Sequence, residues 1–131
     1  LLERALVLSP EHPEILELLA WTLGQSGDPG RASGYWMDLL DLNPHHPTAL
    51  VQLGHILAEA QEYGRALQVL ERALDLPEPP DQVYTELGLL FLQTGRYDDA
   101  RNAFLLACQR DPENPELLRA LQLADQLAPS A

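Results

Sequence analysis

Apolar residues along the chain recur at intervals of three and four rather than in alternation, which predicts amphipathic helices throughout and no strands. In residues 81–114, Tyr84, Leu87 and Phe91 fall on one helical stripe, and Ala100, Phe104 and Ala107 form a second. Gly88 sits beside the first stripe, where a missing side chain lets another helix approach. Gly95 lies between the two stripes and can take the positive φ that closes a helix. Asp111-Pro112 ends the second helix, because proline cannot continue the backbone ladder.

The same pattern occurs twice more upstream with a period of 34 residues. Residues 47–80 carry Leu50, Leu53, Gly54 and Leu57, then Ala66, Leu70 and Ala73; residues 13–46 carry Leu16, Leu19, Ala20 and Leu23, then Ala32, Trp36 and Leu39. Three abutting copies without an insertion predict an array of helix pairs. Each pair buries its stripe by stacking on its neighbours, so about three copies make a stable unit.

With a large residue, Leu-Gly, an aromatic, then Ala, an aromatic, Ala and a closing Pro at fixed offsets, the third copy resembles the tetratricopeptide repeat. Tyr84, Leu87-Gly88, Phe91, Ala100, Phe104, Ala107 and Pro112 meet every offset. The second copy has Leu for the aromatics and Glu78 at the closing proline, flanked by Pro77 and Pro79; the first has Ala20 for Gly and Leu39 for Ala. The resemblance covers nearly the whole chain. It implies an all-α fold, a right-handed superhelical solenoid of antiparallel helix pairs, with repeats at 13–46, 47–80 and 81–114.

The flanks fit the same register. Residues 1–12 hold Leu2, Ala5 and Leu8 before Pro10, as in the second helix of a truncated preceding copy, and would leave Leu1, Leu2 and Leu6 at an open end. Residues 115–128 carry Leu117, Leu118, Leu121, Ala124 and Leu127, matching a lone first helix; in the family such a helix caps the stack. Residues 129–131 read as a frayed tail. Within the first copy Asp28-Pro29 reads as N-cap and first helical residue. Gly30 and Gly34 then either admit close packing around Trp36 or soften that helix, each by about 1 kcal/mol relative to Ala. Gln61 replaces a turn glycine, and the proline-rich stretch 76–80 predicts a stiff joint between the second and third copies.

Composition narrows function by exclusion. The formal charge is −12, from 20 acidic residues against eight arginines and no lysine. That balance argues against nucleic acid and against an anionic membrane surface, and it is compatible with a basic or apolar protein partner or with acidic residues that only keep a solenoid soluble. No run approaches the roughly 20 apolar residues of a membrane span. Arginine without lysine, beside abundant Leu and Ala, points to a high-GC bacterial source, with cytoplasm and periplasm both open. Cys108 excludes an internal disulfide and reads as a small packed residue, since no basic group is spaced to activate it. His45-His46 lies in a linker with no Cys or carboxylate to complete a metal set. No glycine-rich phosphate loop, nucleophile-base pair or ligand spacing is present, so neither catalysis nor a cofactor is expected.

The resemblance implies that first helices line a concave groove and second helices form the back. The groove positions are then Glu14, Glu17 and Trp21; Thr48, Val51, Gln52, His55 and Glu59; Gln82, Thr85, Glu86, Leu89 and Gln93; and Glu116, Arg119 and Leu123. Trp21, Val51, Leu89 and Leu123 would be apolar footholds on a surface acidic toward its N-terminal end. An exposed Trp21 is either an anchor for a partner or packing surface for an upstream repeat; His55 is either a pH-sensitive binding residue or an ordinary polar lining. Chaperone-binding members clamp a C-terminal carboxylate with Lys, Asn and Arg, where this chain has Glu17, Trp21, Gln52, Gln82 and Glu86, which argues against such a clamp. The expected function is a non-catalytic scaffold holding a basic and apolar peptide or protein segment in the groove. The alternatives are self-association through open array ends and a targeting domain of a larger protein.

Overall fold

The structure, a computed structural model, describes residues 13–128; the helix read in residues 1–12 and the tail at 129–131 lie outside the described residues. Seven helices follow one another among the described residues, with no strand: α1 Pro13–Gln25, α2 Pro29–Leu42, α3 Pro47–Glu59, α4 Tyr63–Leu74, α5 Gln82–Gln93, α6 Tyr97–Arg110 and α7 Pro115–Leu127. The fold is the all-helical solenoid that the repeat predicted, with α1–α2, α3–α4 and α5–α6 as pairs and α7 packed on α6.

Local chemistry fixes the helix ends. Proline opens α1, α2, α3 and α7, where the missing N–H has no helical partner to lose. Asp28 caps α2 by accepting from the Arg31 N–H at 3.2 Å, and Asn114 caps α7 by accepting from Glu116 N–H at 3.0 Å. Gly27, Gln61 and Gly95 take φ of 86°, 64° and 78° at equivalent turns, so the glutamine adopts the left-handed conformation that glycine adopts in the other two copies. Each turn closes with the same long bond: Asp28 N–H to Leu23 O at 2.9 Å, Glu62 to Leu57 at 2.9 Å, and Arg96 to Phe91 at 2.8 Å.

One cluster of buried side chains runs from Leu16 through Trp36, Leu50 and Leu70 to Leu90; a second around Tyr84, Phe104 and Ala124 continues it, with Leu74 and Phe91 packed against both. Within pairs the helices come close at glycine. A Cβ on Gly54 would lie 2.6 Å from Leu70, and one on Gly88 would lie 2.6 Å from Phe104. Both partner side chains are buried and have nowhere to retreat. Gly30 and Gly34 differ. Gly34 has nothing within 4 Å of its Cβ position and Gly30 only the Asp28 carboxylate, so neither admits close packing around Trp36.

The proline-rich stretch forms a non-helical joint, and α4 meets α5 more sparsely than α2 meets α3. Arg110 ties the third pair across its open ends, donating to Asp81 at 2.9 Å and Tyr84 Oη at 3.3 Å with its guanidinium over the Tyr84 ring. On α7, Leu117 and Ala124 are buried and Leu121 is partly buried, while Leu118 and Leu127 remain exposed, so only part of the predicted stripe is packed among the described residues.

Candidate functional site

Because the copies share one period, a given position on α1 recurs on α3, α5 and α7. Trp21, His55, Leu89 and Leu123 are one such series, and Gln25, Glu59, Gln93 and Leu127 are another. Among the described residues, three pockets open along this shared face of α1, α3 and α5. The first, about 260 Å³, lies between α1 and α3 and reaches down to Trp36 on α2. The second, about 200 Å³, lies between α3 and α5 around Leu89 and Gln93, and the third, about 260 Å³, lies between Gln52 and Glu86 with Gln82 and Thr85 at its side. His55 lines all three.

His55 is held between two carboxylates. Its Nδ1 is 3.0 Å from Glu86 Oε2 on α5, and its Nε2 is 3.1 Å from Glu59 Oε1 on its own helix. A neutral imidazole donates at one nitrogen only, whereas the imidazolium donates at both. The hydrogen bond to Glu86 accordingly raises the His55 pKa above the usual histidine range, against the opposing pull of partial burial. This bridge also ties α3 to α5.

Trp21 stands edge-on against Trp36, with centroids 5.4 Å apart and planes at 87°. Trp36 is 2% exposed and Trp21 39%, so one half of Trp21 is structural and the other faces the first pocket. Packing on its own pair therefore accounts for part of Trp21, an explanation that neither of the two sequence expectations contained.

The remaining expected groove residues divide. Gln52, Glu59, Gln82, Thr85, Glu86, Leu89 and Gln93 join His55 and Trp21 at the pockets. Glu14 is exposed and Thr48 half-buried, and neither lines a described pocket; Glu17 faces His46 Nε2 at 3.8 Å instead. Glu116, Arg119 and Leu123 are exposed on α7, away from these pockets. Val51 is a correction. It is 2% exposed and belongs to the core where α3 lies against α5, so it forms pocket wall and offers no foothold. His46, in the linker before α3, is partly buried while its neighbours Asn43, Pro44, His45 and Pro47 are exposed. Its Nδ1 accepts from the Ala49 N–H at 3.1 Å and caps α3, a role no residue-type rule for caps would assign to histidine.

Among the described residues no three His, Cys, Asp or Glu are placed to hold a metal ion, and no helix is long and apolar enough to cross a membrane. Burial pushes the Cys108 thiol up from its ordinary pKa, with the charge of Asp111 acting in the same direction, so it is held as the unreactive thiol.

The family model for the tetratricopeptide repeat matches residues 17–83 and again 52–115, and the chain belongs to that family. Its fold is therefore that of a protein-interaction scaffold. No curated protein matches the chain. Among solved structures, a crystal structure of MamA protein is similar at TM-score 0.89 and 24% identity, covering 96% of this chain and 69% of that one. MamA 41-end from Desulfovibrio magneticus RS-1 is similar at TM-score 0.86 and 26% identity, covering 95% and 71%. YrrB, described as a TPR protein with an unusual peptide-binding site, is similar at TM-score 0.82 and 17% identity, covering 94% and 63%.

Proposed function

We propose that this chain is a non-catalytic scaffold that binds a basic and apolar segment of a partner protein along the shared face of α1, α3 and α5. The observation that carries this reading is the combination of exposed apolar side chains with carboxylates on one face. Trp21 and Leu89 are exposed there, Glu59 and Glu86 flank them, and no arginine lines any of the three pockets. A cationic segment meets complementary charge on such a face, and an acidic one is repelled. Peptide binding by YrrB is in keeping with it.

A selection from a random dodecapeptide display library tests the reading. Enriched peptides should carry net positive charge and apolar residues, and should lose affinity for a Glu59→Arg/Leu89→Ala double variant by tenfold or more. Enrichment of acidic sequences, or undiminished binding to that variant, would refute the reading.

A second reading, self-association through the exposed face of α7, has one observation in its favour: Leu118, Leu123 and Leu127 are all exposed there. Sedimentation across a concentration series decides it. Concentration-dependent assembly abolished by Leu118→Glu supports it, and a monomer at every concentration removes it.

A further inference from the structure

The pockets between successive first helices are related by the repeat, yet the first is built differently. Position 24 recurs as 58 and 92, where the chain has Gly24, Ala58 and Leu92. Ala58 and Leu92 line the second pocket, which is confined to residues of α3 and α5. At Gly24 no side chain intervenes, a Cβ built there meets nothing within 4 Å, and the first pocket reaches past α1 to Pro29 and Trp36 on the second helix of its pair. The volume of about 260 Å³ is below the roughly 300–1,000 Å³ of small-molecule sites, so it suits one side chain rather than a cofactor.

Its walls specify which side chain. The exposed face of Trp21 and the side chain of Ile56 are apolar, Trp36 closes the floor, and Glu59 stands at the rim with its side chain 69% exposed. An aromatic face beside a carboxylate matches a planar cation, which stacks on the ring and pairs with the carboxylate in two parallel hydrogen bonds. We propose that the pocket between α1 and α3 is an anchor site for a single arginine side chain of the bound segment. The proposal rests on the groove reading above and names the residue that fixes the ligand's register within it. Glu59 then exchanges its bond to His55 for the guanidinium, while Glu86 keeps His55 tied between α3 and α5.

The experiment takes the peptides selected on the 131-residue chain and replaces each arginine in turn by citrulline, which keeps shape and removes charge, and by norleucine. One position should lose about tenfold or more with citrulline, and that loss should shrink on Glu59→Gln, which leaves only the ring to sense the charge. Gly24→Leu should abolish binding of the same peptides without loss of helical content or Tm, because leucine already occupies the equivalent position at Leu92. The Trp21 indole N–H, one of only two in the chain, should shift on binding in a nitrogen-proton correlation spectrum. Peptides that bind Gly24→Leu unchanged but lose affinity for Leu89→Ala overturn this pocket and leave the groove reading standing. Equal tolerance of citrulline at every arginine also overturns it. A selection that enriches no peptide overturns both.

Discussion

Gly34, Gly54 and Gly88 all lie inside helices, and their surroundings give them opposite roles. At Gly54 and Gly88 a methyl group would enter space already held by Leu70 and Phe104, whereas at Gly34 it would enter open space. Alanine gains about 1 kcal/mol of helix propensity at each position, and the overpacking it causes in a full core costs about 1–3 kcal/mol. Gly34→Ala should therefore stabilise the fold by about 1 kcal/mol, and Gly88→Ala should destabilise it. Urea midpoints of the two variants check this, and midpoints moving in the same direction would contradict it. The close approach at Gly88 was legible because glycine recurs beside a stripe of large residues. Gly34 was ambiguous because its sequence does not say which neighbour, if any, faces it. Val51 failed for a related reason: its exposure depends on how near α5 lies to α3, and no single-helix pattern contains that distance.

At the scale of the element, the helices at 13–127 and their order followed from the 34-residue period, while several of the devices that close them did not. The turns at Gly27 and Gly95 use residues that accept a positive φ freely, and the equivalent turn imposes the same conformation on Gln61 at φ 64°. The bond from Glu62 N–H to Leu57 O holds it there. A left-handed non-glycine residue costs about 1–2 kcal/mol, part of which glycine gives back through its greater freedom in the unfolded chain. Gln61→Gly should raise stability by about 1 kcal/mol or less, read as a higher urea midpoint with an unchanged slope. A lower midpoint would mean that the glutamine side chain makes a compensating contact. The His46 cap could not have been read from residue type, since histidine is not among the residues that favour the N-cap position.

The molecule as a whole is a row of helix pairs, so anything joining one pair to the next sets how the face between them is held. His55 is such a link, between α3 and α5, and the charged groups facing it are Glu59 from its own helix and Glu86 from the next. Its folded pKa lies above the ordinary value of about 6.5, chiefly because of the hydrogen bond to Glu86. The folded protein thus binds the proton more tightly than the unfolded chain. The stabilisation is fully present below about pH 6.5 and is lost as pH rises through the raised value. One proton limits the slope to about 1.4 kcal/mol per pH unit, and the 42% exposure of the His55 side chain makes it shallower through solvent screening. Asp38 and Cys108 are also raised, chiefly by burial, and Arg110 is raised chiefly by its hydrogen bond to Asp81. Urea unfolding from pH 5.5 to 8 should show wild type losing stability relative to His55→Gln as pH rises, and parallel curves would remove the bridge as a stabilising element. Binding should move the other way. Deprotonation leaves Glu59 and Glu86 without the imidazolium between them, so a cationic peptide on the proposed face binds more tightly at pH 8 than at pH 6, and in His55→Gln that difference disappears. The same proton that fastens α3 to α5 competes with the ligand for their carboxylates.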